Sequence, residues 1–93
     1  MNIALDYDDT YTRDPKFWDA MISIAECVGH TVFFCTCRGE YDNNEDMKIP
    51  DGVVVYFTNG EAKKPYMARI GVKVDIWIDD MPELLVEGAC LVG

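Results

Sequence analysis

The chain reads as an α/β protein built around a parallel sheet, and three observations predict this. Four short runs, residues 3–7, 31–37, 53–58 and 74–78, are rich in Val, Ile, Phe, Tyr or Trp, and none alternates cleanly between apolar and polar. Runs of that kind suit strands covered on both faces. Helical spacing separates most of them, and the order β-α-β-loop-β-α-β-α-β is that of an α/β sandwich. Finally, the first and fourth runs end directly in acids, and ligands in open parallel sheets bind beyond the carboxyl ends of strands.

The helices carry their own punctuation. Asp14-Pro15 supplies an N-cap followed by a proline at the first helical position. Phe17, Trp18, Met21, Ile22, Ala25 and Val28 then recur at three- and four-residue steps, and Gly29 stops the helix. A second helix is expected near Pro65, with Tyr66, Met67 and Ile70 inward and Gly71 as its end. A third, short one is expected to start at Pro82 with Leu84, Leu85 and Val86, and residues 89–92 are expected to form a short fifth strand. The connection 38–52 is polar, with Asn43-Asn44 and Pro50-Asp51-Gly52, and predicts a loop.

The 93 residues predict one domain, 1–93, and a hydrophobic fraction of 49% excludes a disordered chain. Seventeen acidic against 8 basic residues give a formal charge of −9, which argues against a broad nucleic acid interface. Docking of a single strand end at a metal stays open. The cysteines Cys27, Cys35, Cys37 and Cys90 make no C-x-x-C pair, and His30 stands alone, so zinc is not expected. Reduced thiols and a cytoplasmic setting are expected instead. The N-terminal run meets an acid at Asp6, which predicts neither a signal peptide nor a membrane span.

The acids carry the chemistry. Asp6, Asp8 and Asp9 follow the first run, and Asp79 and Asp80 follow the fourth. If those two strands are neighbours, up to five carboxylates crowd one rim. Two unit charges ~4 Å apart repel by about 4 kcal/mol at an effective dielectric near 20. Such a cluster calls for a cation, and all-oxygen ligation favours Mg²⁺. A carboxylate can also attack phosphorus to form an acyl phosphate. A second one beside it can protonate the leaving oxygen and then activate water. Thr36 ends the second run, where its hydroxyl can hold a phosphate oxygen. Lys63 or Lys64 comes before the second helix and can neutralise shared negative charge.

In this order the residues resemble the four motifs of the haloacid dehalogenase superfamily. Asp6-x-Asp8-x-Thr10 resembles the first motif, Thr36 the second, the Lys63-Lys64 pair the third and Asp79-Asp80 the fourth. Response-regulator receivers use similar residues in a different order. The resemblance implies a HAD-like, Rossmann-like three-layer α/β sandwich with a central parallel sheet. It makes Asp6 the nucleophile and a magnesium ligand, and Asp8 the general acid/base with its backbone carbonyl on the metal. Asp79 then binds magnesium directly, and Asp80 acts through water. Two aspartates in the first motif imply phosphate transfer rather than dehalogenation.

Asp9 stands where that family often has Gly; Asp tolerates the left-handed backbone such a turn needs. Tyr66 and Met67, three and four residues on, favour Lys63 over Lys64. Thr36-Cys37-Arg38 is similar to the Ser/Thr-x-Arg element of polynucleotide kinase–phosphatases, where Arg38 would clamp a phosphate. Neither residues 10–14 nor 58–63 leave room for a cap domain. An open site of this kind implies a large substrate or closure by a partner subunit in a homo-oligomer. The reading is a magnesium-dependent phosphohydrolase acting through an aspartyl phosphate on a phosphomonoester of unknown size, such as a nucleotide or a nucleic acid end. The alternative is a non-catalytic magnesium- or phosphate-binding domain with a regulatory or assembly role. The loop 38–52 is expected to govern substrate choice.

Overall fold

Strand β1 (Asn2–Leu5) sits inside the sheet because it is the most apolar stretch of the N-terminus, with Ile3, Ala4 and Leu5 all buried. The computed structural model describes residues 1–86. Strand β2 (Thr31–Thr36) pairs with β1 in parallel, Leu5 opposite Phe34. Strands β3 (Val55–Phe57) and β4 (Ile76–Ile78) complete a four-stranded, all-parallel sheet of order β3-β2-β1-β4. The two inner strands are the buried ones, as continuous apolar runs require.

The pleat divides the core in two. Ile3, Leu5, Val32 and Phe34 face helix α1 (Pro15–Cys27), which lays Trp18, Met21, Ile22 and Ala25 on them. Ala4, Phe33 and Cys35 face the other way and pack with Met67 of helix α2 (Lys63–Arg69). Asp14 caps α1 as its sequence predicts, its side chain accepting the Phe17 N–H at 3.2 Å. The loop 38–52 has no helix or strand, but its Met47 and Ile49, with Val53 just after it, cover the first core beside α1. Its Lys48 N–H donates to the Tyr7 hydroxyl at 2.7 Å, which pins the loop to the end of β1.

Several expectations are corrected. The strands are shorter than the apolar runs. Helix α2 begins at Lys63 rather than near Pro65, and Met67 points inward while Ile70 is exposed. Phe17 and Val28 of the α1 periodicity are exposed, because only one side of that helix meets the sheet. Residues Pro82–Leu85 form a 3-10 helix, and a second 3-10 turn, Tyr11–Arg13, follows the first acids. Cys27 and Cys35 are free thiols. The fifth strand expected at 89–92 lies outside the described residues. No helix among the described residues is long and apolar enough to cross a membrane.

Candidate acidic site

The sheet order places β1 beside β4, so the acids that follow them meet. The Asp6 N–H donates to the Ile78 carbonyl at 2.9 Å, extending the pairing to the first acid. Carboxylate oxygens of Asp6, Asp79 and Asp80 all lie within 4.8 Å of one another. Asp6 is buried, Asp79 partly so, and Asp80 is exposed at the mouth. Three of the five expected carboxylates therefore converge. Asp8 points elsewhere, and Asp9 is exposed in a turn with φ of 61°.

Helix α2 brings the counter-charge. Lys63 is its first residue and is buried, and its Nζ donates to Asp6 at 2.8 Å and to Asp79 at 2.5 Å. Lys64, the next residue, is exposed and lines a separate groove with Met67 and Trp77. Of the two lysines the sequence left open, Lys63 alone reaches the acids. The chain end of β4 also fixes Asp79, whose other oxygen accepts the Met81 N–H at 3.0 Å. Thr10 spans two acids: its hydroxyl lies 3.1 Å from an Asp6 oxygen and 3.4 Å from an Asp80 oxygen. The sequence pattern contained Thr10 but gave it no task.

Burial pushes the Asp6 carboxyl up to about 8, the hydrogen bond with Asp80 adds to this, and the Lys63 ammonium pulls it back. Burial alone would lower Lys63, but its pairing with Asp6 and Asp79 more than offsets this and holds it above its ordinary value. One ammonium faces three carboxylates, so negative charge remains for a cation. The donor set is oxygen throughout, with no His or Cys, and suits a hard divalent ion such as Mg²⁺. Trp18, Arg13, Asp9 and Thr10 line the cleft that opens onto Asp79 and Asp80.

The other candidates form a second cluster at the ends of β1 and β2. Arg38 donates through Nε and Nη2 to Asp8, at 2.9 and 2.6 Å. It also donates through Nη1 and Nη2 to Asp46, at 2.8 and 2.9 Å. Hydrogen bonds that it donates to Asp8 and then to Asp46 hold the guanidinium protonated well beyond its ordinary range. Thr36 is fully buried and its hydroxyl accepts the Arg38 backbone N–H at 3.3 Å. Asp46 was missed in the sequence, where nothing distinguishes it from other loop acids. Comparisons with family models, with curated proteins and with solved structures found no match to this chain.

Proposed function

We propose that the chain is a capless, HAD-like, magnesium-dependent phosphohydrolase with Asp6 as its nucleophile. The observation that carries this reading is the buried Asp6–Lys63–Asp79 triad, with Asp80 beside it, at the ends of two adjacent parallel strands. A buried carboxylate that merely stabilised a fold would need one partner, not two further acids. A carboxylate nucleophile for phosphorus needs this environment: a lysine to offset the incoming charge and acids left over for a cation.

Asp6 attacks phosphorus, an oxygen–phosphorus bond forms, and the ester bond to the leaving oxygen breaks. That oxygen takes a proton. Water then attacks the acyl phosphate, which releases inorganic phosphate and restores the Asp6 carboxylate. Lys63 holds the Asp6 carboxylate in place and balances the charge that both steps concentrate there. Thr10 fixes the second Asp6 oxygen. Asp6, Asp79 and Asp80 would hold Mg²⁺, which would supply charge neutralisation at the phosphate and favour the ionised form of Asp6. Asp8 is the acid and base of both steps in this reading, and Arg38 must share or release it for the proton to move.

Hydrolysis of p-nitrophenyl phosphate with Mg²⁺, and trapping of an acid-stable, hydroxylamine-labile phosphoenzyme, test the proposal. Wild type should give both, and Asp6→Asn neither, because an amide cannot form the acyl phosphate. Near wild-type turnover by Asp6→Asn would remove Asp6 from the nucleophile role. The Arg38–Asp8 pairing is the one observation that favours the alternative, a domain that binds magnesium and phosphate without turnover. Phosphate binding that depends on magnesium, with no phosphoenzyme, would select that alternative.

A further inference from the structure

Arg38 presents two forks of N–H donors, and a carboxylate fills each. A guanidinium fork matches a carboxylate and a phosphate in the same geometry. The two occupants are not equivalent. The Asp8 side chain is 28% exposed and sits at the structured end of β1, whereas the Asp46 side chain is 65% exposed on the loop. The Arg38 side chain is held: it is 21% exposed, and its guanidinium carbon lies over the buried Tyr7 ring at 5.6 Å from its centroid. The outer occupant can therefore leave while the receptor stays.

The loop does not depend on Asp46 for its own position. The Gly39 N–H donates to Asp42 at 2.9 Å, Asn44 donates to the Gly39 carbonyl at 3.1 Å, and Lys48 is tied to Tyr7. Arg38 also stands on the catalytic rim, since it follows β2, and β2 is paired along the whole of β1 up to the residue before Asp6. An anion arriving at Asp6 with a second negative group on the same molecule would meet this fork.

We propose that Asp46 is a specificity-determining residue that stands in for a second anionic group of the substrate at the outer fork of Arg38. The substrate is then a phosphomonoester carrying a further phosphate or carboxylate, which displaces Asp46 on binding. This rests on the phosphohydrolase reading for the place of the transferred phosphate. Substrates without a second anion leave Asp46 where it is and gain nothing from Arg38.

Binding separates this from catalysis. Isothermal titration in magnesium buffer compares methylphosphonate with phosphonoacetate, 3-phosphonopropionate and 4-phosphonobutyrate, on wild type, Asp46→Asn and Asp46→Ser. If Asp46 fills the fork about nine-tenths of the time, its removal should tighten at least one phosphonocarboxylate roughly tenfold. Methylphosphonate should change by less than about twofold. Melting by circular dichroism confirms that each variant is folded, and two different replacements guard against one that misfolds. Equal tightening of methylphosphonate, no tightening of any phosphonocarboxylate, or no binding to any protein would overturn the proposal. If wild type binds these ligands but never turns over p-nitrophenyl phosphate, the phosphohydrolase reading fails while the comparison of affinities still decides the role of Asp46.

Discussion

Two cationic side chains hold acids at the same rim of the sheet, and they do so in opposite ways. Lys63 pairs with Asp6 and Asp79, and the three side chains are 1–6% exposed. Arg38 pairs with Asp8 and Asp46, whose side chains are 28% and 65% exposed. All three members of the first cluster come from a strand end or a helix start. The second borrows one member from a loop without regular structure. Burial makes the first cluster costly to form and costlier to break, since Lys63 or Asp79 left alone is an unpaired buried charge. Solvent makes the second exchangeable. The difference teaches that charge pairing at one rim can serve two ends, a fixed buried cluster and a replaceable contact.

The largest expected effect tests this directly. Lys63→Met leaves Asp6 and Asp79 without their counter-charge, and breaking a buried pair this way costs about 3–5 kcal/mol. For a domain of this size the melting midpoint should fall by roughly 15 °C or more. Arg38→Met should melt within about 5 °C of wild type, because its pairs face water. Equal losses in the two variants, measured by thermal denaturation, would erase the distinction between the clusters.

A second test uses pH and metal. The folded chain holds the Asp6 proton up to about 8, against an ordinary value of 3.8. Between those values the folded state is protonated at Asp6 while the unfolded state is not. That contribution to stability is complete below the ordinary value and is lost as pH rises through about 8. In EDTA, the melting midpoint of wild type should therefore fall from pH 5 to pH 8, and Asp6→Asn should flatten the slope. Magnesium competes with that proton, so its effect should grow with pH. At a hundredfold excess over its dissociation constant a ligand adds ~2.7 kcal/mol, or roughly ten degrees or more here. Asp79→Ala should lose most of this gain and, having also lost a Lys63 partner, should melt below wild type in EDTA. An Arg38 variant should keep both the slope and the magnesium shift.

The contrast between the clusters also explains what could be read from the sequence. The apolar runs and the Asp14-Pro15 start signal their own elements, because strands buried on both faces and capped helices are local patterns. The meeting of Asp6 with Asp79 needed only one further step, the adjacency of β1 and β4. Lys63 followed because the helix that it opens must turn Met67 inward. The second cluster was not legible in the same way. Arg38 lies 8 residues from Asp46 and 30 from Asp8, and a loop without periodicity gives no rule for which acid it brings back. The exposed side of α1 was misread for a related reason. Phe17 and Val28 satisfy helical spacing, yet spacing does not say how wide a face the sheet will cover.

Asp9 stands between the clusters, after Asp8 and before Thr10, and it supports the smallest and most discriminating test. Its backbone is left-handed, at φ 61°, and its N–H donates to the Thr12 hydroxyl at 3.0 Å. Its carboxylate lines the cleft that also exposes Asp79 and Asp80 but is not one of the three converging acids. Glycine enters that conformation without a Cβ clash, a relief of up to ~1 kcal/mol for Asp that glycine's extra unfolded freedom partly cancels. Asp9→Gly should therefore raise the melting midpoint by about 3 °C or less, at low and at high salt alike. Asp9→Asn keeps a side chain that tolerates the left-handed turn and removes only the charge. It should move the midpoint less than Asp9→Gly does, and only at low salt, where repulsion from Asp79 and Asp80 is unscreened. Were Asp9→Asn to match Asp9→Gly at low salt, and both gains to vanish in NaCl, Asp9 would belong electrically to the buried acidic cluster. The two clusters would then be one continuous acidic field with the turn inside it, and their separate behaviour would need another cause.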